Sequence, residues 1–285
     1  MVEQQPFNPL VSVLMTCYNR EKYIGQAIES VLASSYTHFE LIVVDDRSTD
    51  SSVNMVNSYA KRDKRVKLFI NEHNLGDYPN RNKAASYASG KYLKYVDADD
   101  YIYPWGLQIL VQTMEQFPAA GWGLCSLDPL AEKPFPFQLS PQEAYLYHYN
   151  GPGLFHKAPL SSIIKKEVFT AVGGFNAIRM AGDYEMWHRL ARLYPVVLMP
   201  HGIVWYRKHG EQEVKDYRRF LKTYENIKIQ NLQQPLPLPA DVAGKLLRNE
   251  KRKLWKRLLQ SLLTFKIAAA KDYFSRLSQY YGTAK

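Results

Sequence analysis

Short apolar runs alternate with helix-periodic stretches over the first 127 residues. Val11–Thr16 (VSVLMT) reads as a buried strand. Ile24, Ala27, Ile28, Val31 and Leu32 recur at i, i+3, i+4, i+7 and i+8, one face of a helix. Glu40–Asp45 (ELIVVD) predicts the next strand, and Asp50 is placed to cap a helix carrying Val53, Val56 and Tyr59. Val66–Ile70 reads as strand, Arg81–Ser89 as helix closed by Gly90, and Tyr92–Asp97 as strand. Pro104 fits the first position of another helix, and Trp122–Leu127 closes the series.

Such alternation predicts an α/β fold, a mainly parallel sheet with helices on both faces. Ligands of such sheets bind at the carboxyl ends of the strands. The polar residues of interest fall at those ends. Asn19 and Arg20 follow the first strand, Asp45 and Asp46 end the second, and Asp97, Asp99 and Asp100 end the fourth. Residues 128–160, rich in Pro and aromatics, read as a long irregular loop at the mouth of a site. Ser161–Lys165 then reads as strand, Val168–Phe175 as a short helix, and Gly182–Leu193 as helix. Val196–Met199 and Ile203–Arg207 read as strands and 211–233 as a polar helix. The break QQPLPLP precedes a basic helical region.

The length of 285 residues suits one α/β domain with an appendage, or two small domains. A net charge of +10 points to an anionic partner. The charge is uneven: eleven Lys or Arg lie between Lys245 and Lys285, against Glu250 and Asp272. Because that excess sits in a separable tail without a binding motif, nucleic acid is not the expected partner. Cys17 and Cys125 lie in apolar runs, which predicts buried thiols and a reducing, cytoplasmic setting. The start MVEQQPFNPL does not read as a signal peptide, and no apolar run is long enough for a spanning helix. A nicotinamide dehydrogenase would need a G-x-G-x-x-G turn after the first strand, where TCYNREKYIG stands; a P-loop is also absent.

Two acidic clusters carry the chemistry. Asp97, Asp99 and Asp100 crowd three carboxylates into four residues, and such groups repel unless a cation lies between them. Mg²⁺ and Mn²⁺ take oxygen ligands and commonly bridge carboxylates to substrate phosphates. An Asp-rich turn capping a helix accounts for the same residues on its own. In Asp45-Asp46-Arg47-Ser48-Thr49-Asp50, one Asp could accept from a base or ribose while the rest organise the turn.

Four segments, TCYN after the first strand, VVDDRSTD, NLGDYPNRNKA and YVDADD, stand in an order and at spacings that resemble the inverting family 2 glycosyltransferases of GT-A fold. The resemblance covers about residues 10–210. It implies a catalytic domain over 1–210, with a nucleotide-binding half (10–127) and an acceptor half (128–210), followed by a helical extension over 211–285. It implies transfer of a sugar from a nucleotide-sugar donor, usually UDP-linked, to a glycan or lipid-linked acceptor in cell-surface polysaccharide or glycan synthesis. By position, Thr16, Tyr18 and Asn19 contact the nucleoside, Asp45 and Asp46 hold the pair that reads base or ribose, and Arg81 lies near the nucleotide. Asp97 and Ala98 lie near the ribose, and Asp99 is the ligand of Mn²⁺ or Mg²⁺. From the residues alone, Arg81 could equally be a surface salt bridge.

The resemblance also implies a general base. An inverting transfer needs a carboxylate to take the acceptor's proton. The family usually shows Glu-Asp here; this chain has Gly182-Asp183, so Asp183 matches the base and Glu185 competes with it. Trp187 could stack on a sugar or fill core. His209, in the segment YRKHG, matches a late R-x-H element and could complete the metal shell or contact the pyrophosphate. The loss of the first acid leaves a second function class open, a catalytically degenerate module that binds nucleotide-sugar or glycan. In the tail, Leu246, Leu247, Leu254, Leu258, Leu259, Leu262 and Leu263 mix with Lys251, Arg252, Lys253, Lys256 and Arg257. That pattern fits a helix packed on the catalytic domain, one lying peripherally on an anionic membrane face, or one that forms a homodimer.

Overall fold

The structure is a computed structural model and describes residues 8–127, 133–210 and 217–281. The two longest apolar runs form β1 (Val11–Cys17) and β2 (Phe39–Asp45), buried along nearly their whole lengths. Successive residues feed opposite cores. Leu14, Ile42 and Val44 join one side, while Val13, Met15, Leu41 and Val43 join the other. Burial on both faces is why these strands read as continuous runs rather than alternations.

β1 lies between β2 and β4 (Tyr92–Tyr95), parallel to both, and β3 (Val66–Ile70) runs parallel outside β2. The connections are α1 (Ile24–Leu32), α2 (Ser52–Ala60) and α3 (Asp77–Ser86). The chain therefore steps outward from β1 to β3 and then returns to the other side of β1. That reversal opens a crevice beyond the carboxyl ends of β1 and β4, where open α/β sheets place ligands.

Past β4 the sheet is mixed. β8 (Ser162–Lys165) runs antiparallel to β4 and to β6 (Trp122–Leu124), β9 (Val196–Leu198) parallel to β6, and β7 (Phe137–Leu139) antiparallel at the edge. The order is β3-β2-β1-β4-β8-β6-β9-β7, with four of the seven neighbouring pairs parallel. β5 (Tyr101–Ile102) and β10 (Val204–Trp205) form a separate antiparallel pair. α4 (Gly106–Gln116), α5 (Pro141–Asn150), α6 (Lys166–Ala171) and α7 (Gly182–Leu193) complete the layers. α8 (Tyr217–Gln233) places Ile227 in the core beside α7. Beyond it, α9 (Ala240–Leu263) and α10 (Ile267–Tyr281) share a smaller apolar cluster with Ile229 and Leu232 of α8.

Several boundaries differ from those expected. Residues 133–160 are not an irregular loop: they hold β7 and α5, while 128–132 lie outside the described residues. α5 opens with a capping box, in which Ser140 Oγ accepts from Glu143 N and the Glu143 carboxylate accepts from Ser140 N. The helix expected from Arg81 starts at Asp77, because Gly76, at φ 84°, turns the chain one turn earlier. Pro104 precedes α4 rather than opening it, and its carbonyl accepts from Ser35 N. Trp187 is fully buried and stacks on Trp122 at 5.2 Å, so it fills core. Cys17 and Cys125 are buried free thiols. Among the described residues, no helix is long and apolar enough to cross a membrane.

Candidate active site

The loops after β1 and β2 are sewn together by side chains. Asn19 adopts φ 51°, a conformation that Asn tolerates better than most residues. Its Oδ1 accepts from Thr49 N at 2.8 Å, and its own N donates to Ser48 Oγ at 2.9 Å. Arg20 N donates to Ser52 Oγ, and Asp50 accepts from both Glu21 N and Ser52 N. Asn19 is thus a loop staple. Thr16 is half-buried and Tyr18 half exposed.

The two acids that end β2 and begin the next loop divide their work. Asp46 is buried and accepts three bonds, from Asn71 Nδ2, Leu75 N and Gly76 N at 2.8–2.9 Å. It therefore holds the loop that leads into α3. Asp45, also buried, accepts from Ser48 through N and Oγ, and the Cys17 thiol is a further hydrogen-bonding neighbour of its carboxylate.

The cluster after β4 alternates in exposure. Asp97 and Asp99 are partly exposed, whereas Ala98 and Asp100 are buried. Asp97 Oδ1 receives Arg81 Nη1 at 2.6 Å. Asp99 Oδ2 receives Arg20 Nε at 2.9 Å and lies 3.0 Å from His209 Nε2. Asp100 accepts from Arg207 N, and Arg207 Nε donates to the Asp99 carbonyl. Burial, with the neighbouring Asp97 carboxylate, pushes the Asp100 carboxyl up to about 8. The 205–209 segment is thereby bonded directly to the acidic turn, and the His209 ring packs on Tyr23 at 4.6 Å. Residues 99 and 209 bring a carboxylate and an imidazole together, donors that suit Mn²⁺. Among the described residues, no cluster of three or more His, Cys, Asp and Glu is arranged around a common metal position. An ion held there would take its remaining ligands from phosphate and water, as Mg²⁺-type ions commonly do.

α3 joins this cluster to Asp183. Arg81 is buried, not a surface ion pair: its Nε meets Asp77 Oδ1 at 2.8 Å while its Nη1 holds Asp97. From the same turn, the buried Tyr78 hydroxyl lies within reach of the Asp183 carboxyl at the start of α7 and favours its charged form. Asp183 keeps a solvent-facing edge, but protein surrounds its carboxyl group. Burial pushes that carboxyl up to about 7, and Tyr184 N and the Tyr78 hydroxyl only partly oppose the shift. Glu185, the competing acid, is tied by both oxygens to Arg189, which also donates to the Gly174 carbonyl.

Asp45, Arg81, Asp97, Asp99, His209 and Asp183 thus gather about the carboxyl ends of β1, β2 and β4, through the bonds just described. Sequence reasoning missed Asp77, Tyr78 and Arg207 as members of this network. No signal in the sequence pointed to Tyr78, whose ring fills the space beside Gly182.

Comparison with known proteins places the fold. Residues 12–173 match the sequence family described as Glycosyl transferase family 2. An uncharacterized glycosyltransferase of Haemophilus influenzae is 29% identical over 245 residues, which cover 79% of this chain and 73% of that protein. TuaG of Bacillus subtilis, a putative teichuronic acid biosynthesis glycosyltransferase, is 42% identical over 94 residues, 33% of this chain and 37% of that protein. The chain thus spans most of the first relative and little more than a third of the second. Two solved structures share the GT-A arrangement. TarS 1–349 of S. aureus, in complex with UDP-GlcNAc, superposes with a TM-score of 0.67 at 16% identity, over 95% of this chain and 91% of that one. The mannosyltransferase PcManGT of Pyrobaculum calidifontis, in complex with GDP-Man and Mn²⁺, gives 0.64 at 17% identity, over 98% and 77%. With the family match running over more than half of its length, the chain belongs to glycosyl transferase family 2 and is a glycosyltransferase.

Proposed function

We propose that this enzyme moves a sugar from a nucleoside-diphosphate sugar to an acceptor hydroxyl with inversion, in the assembly of a cell-surface polysaccharide or related glycan. The observation that carries the reading is the α3 turn. It links Asp97, beside the metal-type pair Asp99 and His209, to Asp183, a carboxyl poised near neutrality.

In this reading Asp45, Thr16 and Tyr18 receive the base and ribose, while Asp97 and the backbone at Ala98 lie along the ribose. Asp99 and His209 would hold Mn²⁺ or Mg²⁺. When bound, the ion supplies positive charge that stabilises the departing diphosphate. Arg81 fixes Asp97 and adds cationic charge beside the nucleotide. Asp183 accepts the proton of the acceptor hydroxyl as its oxygen forms a bond to the anomeric carbon and the bond to the diphosphate breaks. A base whose pKa lies near the working pH balances the correct protonation state against driving force. No protein nucleophile is required, and one displacement inverts the anomeric centre. A UDP-linked donor fits the complex of TarS, and a GDP-linked donor with Mn²⁺ fits that of PcManGT. The name of TuaG, a putative teichuronic acid biosynthesis glycosyltransferase, favours a role in polysaccharide synthesis.

The test is release of nucleoside diphosphate from UDP-, GDP- and dTDP-sugars with Mn²⁺, with the anomeric configuration of any product read by proton NMR. Turnover of one donor class with inverted product supports the reading. Release from none, or retained configuration, removes it.

A further inference from the structure

α9 carries apolar residues on two sides. Leu246, Leu254 and Leu258 face inward onto α8 and α10. Trp255, Leu259, Leu262 and Leu263 recur at helical spacing on the outward side, where a helix of a globular protein normally shows polar residues. The corner to α10 continues the patch. Leu263 is 80% exposed, Phe265 86%, and Ile267 and Phe274 are also exposed. Between the two helices, Leu258, Leu262, Ile267, Ala270 and Phe274 line an apolar groove of about 450 Å³, with Lys271 at its edge. Contiguous apolar surface of this kind marks an interaction site.

The charge around the patch is of one sign. Between Lys251 and Tyr281 the chain has eight Lys or Arg and a single acid, Asp272, whose carboxylate is held by Arg276. Glu250, just before, is buried between Lys228 and Lys253. Arg252, Lys256, Lys266 and Lys271 stand exposed around the apolar residues. A second copy of this chain would set these cations against one another, which disfavours self-pairing through the patch. An anionic bilayer satisfies both features at once: apolar side chains enter below the headgroups while cations meet the phosphates.

We propose that the α9–α10 corner docks the enzyme on an anionic lipid bilayer. Lying flat rather than crossing agrees with the absence of a spanning helix among the described residues. The inference stands apart from the sugar-transfer reading, since none of its residues belongs to the candidate active site.

The test is co-sedimentation of the full chain with vesicles of phosphatidylcholine alone and of phosphatidylcholine mixed with phosphatidylglycerol. Binding to the anionic vesicles is expected to be about tenfold stronger or more and to weaken as salt rises. Two variants should lose it while keeping the parent's melting curve, since every altered side chain is exposed: Leu263→Glu with Phe265→Glu, and Lys256→Glu with Lys266→Glu and Lys271→Glu. No binding to either vesicle, or unchanged binding by both variants, overturns the proposal. So does a lipid-free dimer that Leu263→Glu dissociates, which would assign the patch to a second copy.

Discussion

The ring of Tyr78 lies against Gly182 so closely that a Cβ at 182 would come within 2.8 Å of Tyr78 Cδ2. The Asn176 carbonyl closes the other side, at 2.7 Å. The family's usual acid at this position is thus replaced by glycine together with a ring from α3, and that ring's hydroxyl reaches Asp183. Glycine at 182 and the ring of Tyr78 make one local solution.

Any side chain at 182 must therefore displace a buried ring or a backbone carbonyl. Gly182→Ala is expected to destabilise the fold by about 1–3 kcal/mol, the usual cost of overpacking. Urea unfolding would measure it. Combining it with Tyr78→Ala should cost less than the sum of the single changes, because the residues touch; additive costs would contradict the contact.

The second expectation concerns pH. Because Asp183 titrates at about 7, kcat/KM should rise through that pH and level off above it. Tyr78→Phe removes a hydroxyl that favours the charged carboxylate, so the acidic limb should move to higher pH. Asp183→Asn should lower the rate by about 10²–10⁴-fold. Its stability should move the other way. A carboxyl raised in the folded chain contributes stability at pH below its unfolded value of 3.8, and that contribution is lost as pH rises through about 7. The Asn variant should then be more stable than the parent at pH 8, and the gap should close by pH 4. Melting curves at the two pH values would show it.

The third expectation is that Arg81 cannot be traded for a smaller or differently shaped group. Its guanidinium bridges Asp77 and Asp97 with only 8% of the side chain exposed. Removing it leaves Asp97, 20% exposed, without its guanidinium, while Asp77 is 45% exposed and loses less, so Arg81→Ala should cost about 1–3 kcal/mol. Arg81→Lys should recover only part of this, since an ammonium cannot reproduce the two-pronged contact. Denaturant titration of both variants would check it.

Glu185 separates the two candidate bases. Its carboxylate is committed to Arg189. Glu185→Gln should cost about 1–3 kcal/mol of stability, since it takes the charge from a partly buried two-pronged pair, and leave the pH profile in place. A loss of the limb near pH 7 in this variant would transfer the base role to Glu185.

The frame was legible because strands buried on both faces must be continuously apolar, as VSVLMT and ELIVVD are. Once those strands were placed, Asp45, Asp46, Asp97 and Asp99 fell at their carboxyl ends. What stayed hidden depends on contacts far apart in sequence. No local pattern joins Tyr78 to Gly182, and none shows that Arg81 is buried between two acids. The hold of Asp46 on the next loop was hidden too, since it turns on where the backbone of residues 71–76 comes to rest. α5 was missed for a local reason: YLYHYN lacks a clean apolar stripe, while the cap Ser140-Pro141-Gln142-Glu143 was readable and went unused.

The most direct test of the central claim is thermal denaturation of the parent and of Asp99→Asn with UDP, GDP, dTDP or CMP, each with and without Mn²⁺. One nucleoside diphosphate should raise the parent's melting temperature only when Mn²⁺ is present, and Asp99→Asn should abolish the rise. A rise of equal size without metal, an undiminished rise in Asp99→Asn, or none with any nucleotide would contradict a metal–diphosphate site at these strand ends.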